Sequence, residues 1–169
     1  INVKKGSALD LSDMIDDSTC GSNGRVIVNP EGKLAFEKEP KNPIRFIGCS
    51  IHLDLIGKMD KDGIETYAEQ IRIQGYNLVR FHFPELFLMK KAKKELELDP
   101  ESLDKMFYFV KCLRNRGIYL YFDIVTSWSA YMPGTGWGDS AKEMHLKSRI
   151  YTESAVRAHW EKVLNTMLG

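Results

Sequence analysis

Three strand-like runs alternate with three helix-like runs after Arg45, and that order limits the possible folds more than any other feature of the chain. The strand runs are RFIGCSIHLD (45–54), YNLVRFHF (76–83) and GIYLYFDIVTSW (117–128). After the first, Asp60 or Asp62 can cap a helix whose apolar positions Ile64, Tyr67, Ala68 and Ile71 follow helical spacing until Gly75 ends it. After the second, Asp99 and Pro100 start a helix with Leu103, Met106, Phe107, Val110 and Leu113 along one face. Arg114 and Arg116 sit in its last turn, where cations suit the helix dipole, and Gly117 follows as a C-cap glycine. After the third, Thr152 is a candidate cap for a helix carrying Val156, Trp160, Val163, Leu164 and Met167. A β-α-β-α-β-α order predicts an α/β fold with parallel strands, either doubly wound or closed as a barrel.

The N-terminal stretch differs in character. Residues 1–24 are polar, with Leu9, Leu11, Met14 and Ile15 as anchors, and read as an arm packed on something larger. RVIVNPEGKLAF places two alternating strands around Asn29-Pro30-Glu31-Gly32, a turn in which proline sets φ and glycine can take positive φ. KEPKNP then reads as a linker. The expected organisation is an arm and β-hairpin over 1–44, followed by three βα units over 45–169.

Composition excludes several classes of function. With 169 residues, 43% hydrophobic and 28% charged, the chain has the make-up of an ordinary globular protein. A net charge of +1 gives no long-range attraction for nucleic acid, and KKAKK (90–94) reads as a solvated face. No run approaches the roughly 18 apolar residues needed to cross a bilayer, so no membrane partner is expected. The first residue is Ile1 rather than Met, which fits removal of a leader peptide. Cys20, Cys49 and Cys112 lack CxxC pairing, and His52, His82, His145 and His159 lack ligand spacing, so no metal site is expected. Without a GxGxxG after a strand or a Walker loop, no cofactor is expected either.

Strand parity carries the functional reading. In the third run Ile118, Leu120, Phe122 and Ile124 share one apolar parity, leaving Tyr119, Tyr121, Asp123 and Val125 on the other. In the second, Val79, Phe81 and Phe83 are apolar and Leu78, Arg80 and His82 oppose them; in the first, Gly48, Ser50 and His52 take the corresponding parity. Polar residues of all three runs therefore gather towards the C-terminal strand ends on one face, where a (β/α)₈ barrel builds its active site.

The segments SALDLSDMID, the hairpin, RFIGCSIHLD, IQGYNLVRFHF and LDPESLDKMFYFVKCLRNRGIYLYFDI resemble, in this order, the N-terminal region of clan A glycoside hydrolases, in particular bacterial cellulase-like proteins of the family 5 type. The resemblance implies the first three βα units of a TIM barrel and retaining hydrolysis of a glycosidic bond in a β-linked polysaccharide, with two glutamates about 5 Å apart. It places both glutamates on later strands, so no catalytic residue is expected in this chain and the chain alone should be inactive. Eight units at the observed spacing would need about 320 residues, against about 250 in a typical barrel. Arg80 matches a supporting arginine that keeps the nucleophile ionised, and His82 matches a polar position of the same site. Relatives often carry a histidine where this chain has Val125. The resemblance also implies a carbohydrate as partner and an extracellular or periplasmic setting.

The loop after the third strand run is long, and its Trp128, Tyr131 and Trp137 can stack on sugar rings. The expected substrate-binding set is thus His52, Arg80, His82, Asp123, Trp128 and Trp137. Two other readings use only residues present. One is a non-catalytic carbohydrate-binding or interaction module; the other is a small hydrolase with Asp54 and Asp123 as a carboxylate pair and Glu85 in reserve.

Overall fold

Helix caps and tight turns cut the chain into six strands and six α-helices among the described residues. These are β1 (Val26–Val28), β2 (Leu34–Phe36), β3 (Glu39–Pro43), β4 (Gly48–His52), α1 (Asp54–Gly57), α2 (Lys61–Ile73), β5 (Leu78–His82), α3 (Pro84–Met89), α4 (Pro100–Arg114), β6 (Tyr119–Asp123), α5 (Leu146–Thr152) and α6 (Ser154–Leu168). The structure, a computed structural model, describes residues 2–89, 91, 96–124 and 146–169. Its strands form two three-stranded sheets, ordered β1-β2-β3 and β4-β5-β6.

Of the two candidate caps, Asp60 starts α2: its Oδ1 accepts the Gly63 N–H at 2.8 Å. Asp99 does the same for α4 through the Ser102 N–H at 2.9 Å. A side-chain cap of this kind contributes about 1 kcal/mol by satisfying a donor the helix leaves over. Gly75 and Gly117 end the same two helices at φ 82° and 70°.

Contacts group the residues into two compact units, one of Ile1–Ser50, Met59–Arg80 and Tyr108–Tyr121, the other of Ile51–Lys58, Phe81–Phe107 and Phe122–Gly169. In the first, the arm is tied to α2 by Leu11 N–H donating to the Ile73 carbonyl at 2.7 Å and by Gln70, which bonds both backbone groups of Val3. Ile64, Ala68 and Ile71 turn inward from α2, and Tyr67 stacks on Phe109 at 5.8 Å. Arg116 closes this layer, reaching Glu65 at 2.7 Å and Glu69 at 2.9 Å, and its guanidinium holds the Glu65 carboxyl below the usual range. In the second unit, Met89, Ile124, Ile150, Val156 and Val163 form the apolar centre, with Trp160, Leu164 and Met167 against it.

Four local expectations change. KEPKNP is not a linker: Glu39–Pro43 form β3, paired antiparallel to β2 with a register shift between Ala35 and Phe36. The stripe buried on α4 is Ser102, Met106, Phe109, Cys112 and Leu113, while Phe107 is 58% exposed. The helical period holds, but the inward direction lies about one residue away from the most hydrophobic stripe. Thr152 ends α5 rather than capping α6, whose N-cap position is Glu153. On β6, Phe122 is 36% exposed although its parity predicts burial.

The arm also carries an acid-sensitive contact. The Asp10 carboxylate accepts the Gly6 N–H at 2.7 Å and the Ser12 N–H at 3.0 Å, and these bonds, Gly6 first, lower its pKa from 3.8 to about 2. A depressed folded-state pKa means that the stabilisation is complete above the ordinary carboxylate value and is lost as pH falls through about 2. Asp10→Asn should therefore narrow the gap in melting temperature between mildly acidic and strongly acidic buffer. An unchanged gap would mean that these bonds do not couple to folding.

Candidate functional site

The site is built from strand alternation. Along β4, Ile51 is buried between exposed Ser50 and His52; along β5, Val79 and Phe81 are fully buried between half-buried Leu78, Arg80 and His82. Along each strand the apolar side chains take the packed side and the polar ones the opposite side.

In the first unit this face holds Arg80, whose Nη1 donates to Ser50 Oγ at 3.0 Å. The two line an open hollow with Gly48, Cys49, Leu78 and exposed Tyr121. Gly48 keeps the hollow's floor low, because a Cβ there would come within 3.2 Å of the Leu78 side chain.

The second unit holds the other cluster. His52, His82 and Asp123 are the last residues of β4, β5 and β6. His82 Nδ1 lies 2.8 Å from Asp123 Oδ2, with the two side chains 24% and 17% exposed. A carboxylate only accepts, so Nδ1 carries the hydrogen, and Nε2 is an acceptor in the neutral ring and a donor in the imidazolium. The His52 ring stands edge-on to His82 at 5.3 Å and 90°. Together these groups offer a hydroxyl-bearing ligand both donors and acceptors.

Sequence reasoning missed Phe83. Its parity assigns it to the packed face with Val79 and Phe81, but its backbone turns to φ 55°, and the ring lies 3.6 Å from that of His82 and 5.6 Å from that of His52. For a residue with a Cβ, this left-handed conformation costs roughly 1–2 kcal/mol. No residue pattern signals a single backbone torsion, so nothing in the sequence could have revealed it.

Glu85 is fully buried in the first turn of α3, which removes it as a reserve catalyst on an open surface. Asp54 is exposed in the first turn of α1 and lines a different hollow, with Gly57, Lys58, Phe87, Lys91 and Ser102, so the pairing with Asp123 gains no support. Trp128, Tyr131, Trp137 and Val125 lie outside the described residues. Among the described residues no group of histidine, cysteine or acidic side chains is arranged to hold a metal ion, and no helix is long and apolar enough to cross a membrane.

No protein-family model matches the sequence, and no curated protein matches it. Solved structures do. A glycoside hydrolase family 5 protein from Bacteroides vulgatus superposes with a TM-score of 0.51 at 16% identity, over 90% of this chain and 39% of its own. A second structure, described as a glycoside hydrolase, gives a TM-score of 0.51 at 19% identity, over 90% of this chain and 40% of its own. The likeness is one of fold. The chain spans about two fifths of the length of the solved structures it matches, and its mixed α/β order is consistent with part of a barrel.

Proposed function

We propose that this chain is the N-terminal part of a carbohydrate-active glycoside hydrolase, a retaining enzyme on a β-linked polysaccharide, and that its residues bind substrate without supplying the acid/base or nucleophile. The observation that carries this reading is the cluster of His52, His82 and Asp123, each the last residue of its strand. Strand ends are where (β/α)₈ enzymes place their ligands, and the fold likeness to glycoside hydrolases supports the same reading. Paired ring nitrogens and carboxylate oxygens suit sugar hydroxyls, which both donate and accept. Arg80 contributes fixed positive charge in its own unit, and Trp128 and Trp137 add stacking surfaces. The glutamates belong to later strands of a longer barrel, and the working environment is extracellular or periplasmic, where polysaccharides are met.

Nuclear magnetic resonance titration of this chain with soluble β-glucan oligosaccharides should perturb the signals of His52, His82 and Asp123. His82→Ala should weaken the affinity by about tenfold, the scale of one hydrogen bond to a partly buried group. Hydrolysis of aryl glycosides and soluble β-glucans is expected from a longer protein that includes the later strands, and not from the 169-residue chain. Turnover by the chain itself would overturn the division of labour. Binding in both proteins without turnover in either would favour a non-catalytic carbohydrate-binding module.

A further inference from the structure

We propose that Phe83 is a positioning residue, whose ring fixes the His82 imidazole in the orientation where Nδ1 donates to Asp123 and Nε2 is presented to a substrate hydroxyl. The role of Nε2 rests on the carbohydrate reading above; the fixing of the ring does not.

Because Nδ1 lies off the Cβ–Cγ axis, its hydrogen bond to Asp123 Oδ2 at 2.8 Å selects one orientation of the imidazole, and a half-turn of the ring about that axis would break it. The ring torsion of a histidine has a broad, shallow profile, so the torsion itself does not settle the plane. The hydrogen bond selects it, and two neighbouring rings hold it against the half-turn. Phe83 lies over His82 at a centroid distance of 3.6 Å and an interplanar angle of 38°, while His52 meets it edge-on at 5.3 Å and 90°. Phe83 also touches His52 at 5.6 Å, so one side chain braces both imidazoles.

The backbone gives the independent argument. Continued as extended strand, residue 83 would join the parity of fully buried Val79 and Phe81 and leave His82 unsupported on its face. At φ 55° the chain turns instead, and the ring arrives on the polar side. Glycine would hold the same turn without strain. What phenylalanine adds at this position, and glycine lacks, is the ring itself.

The test compares Phe83→Gly and Phe83→Tyr with the original chain, reading the His82 ring nitrogens by nitrogen-15 resonance at a pH where the imidazole is neutral. Glycine tolerates the turn, so Phe83→Gly removes the ring without disturbing the backbone, and an unchanged amide spectrum elsewhere verifies folding. The original chain and Phe83→Tyr should show a single tautomer with the hydrogen on Nδ1. In Phe83→Gly the balance should move towards the Nε2–H form by about tenfold, the scale on which one hydrogen bond biases an equilibrium. A Phe83→Gly protein that keeps the single Nδ1–H tautomer overturns the proposal, whatever sugars the chain binds. A shifted tautomer in a chain that binds no carbohydrate would sustain the positioning role and sink the carbohydrate reading instead.

Discussion

Gly117→Ala is expected to destabilise the protein by about 2–4 kcal/mol, read as a shift in the denaturant midpoint. Gly117 is buried at φ 70°, between the end of α4 and the start of β6. A methyl group there would collide with the Asp16 carbonyl oxygen and crowd that of Ser18 at 3.1 Å. Both obstacles are backbone of the arm, which cannot step aside as the tip of a flexible side chain would. The left-handed torsion adds its own penalty for any residue with a Cβ. Gly32→Ala separates the two causes, because Gly32 has φ 75° and open space around it. That control should cost only about 1 kcal/mol, the backbone part alone. Equal losses in the two variants would mean that the arm does not press on Gly117.

Phe81→Ala is expected to cost more, about 3–5 kcal/mol, because it empties a fully enclosed site. The Phe81 ring is completely buried and meets Phe122 edge-on at 5.3 Å. Phe107→Ala provides the contrast. With more than half of its surface in water, Phe107 should lose no more than about 0.5 kcal/mol on truncation. A large loss at Phe107 would restore the α4 face read from hydrophobicity and overturn the one described above.

These contrasts mark what a reader of the residues can and cannot recover. Caps are legible because they are local: Asp60 and Asp99 accept N–H groups three residues on, and Gly75 and Gly117 stop the helices they start. His52, His82 and Asp123 are legible because alternation and strand position together define a face and an end. The inward direction of α4 is set by the neighbours it packs on, and Leu103 and Phe107 offered as plausible a stripe as Ser102 and Phe109. Strand β3 is hidden by Pro40 and Pro43, which argue against a strand unless its outer edge is unpaired. Phe83 is hidden more deeply, since one torsion reverses the side its parity assigns.

The prolines of β3 also decide how this protein can fail. The outer strand of a sheet is a template on which another chain can add, and addition requires backbone N–H donors. Strand β3 is exposed along its whole length and lies at the end of the order β1-β2-β3, but proline at 40 and 43 supplies no N–H there. Self-templated fibril growth from this sheet is favoured at the opposite edge, on the three residues Val26–Val28, which carry exposed valines and no proline. The hairpin is thus guarded against runaway polymerisation on one side only, and a charged residue in place of Val28 would guard the other.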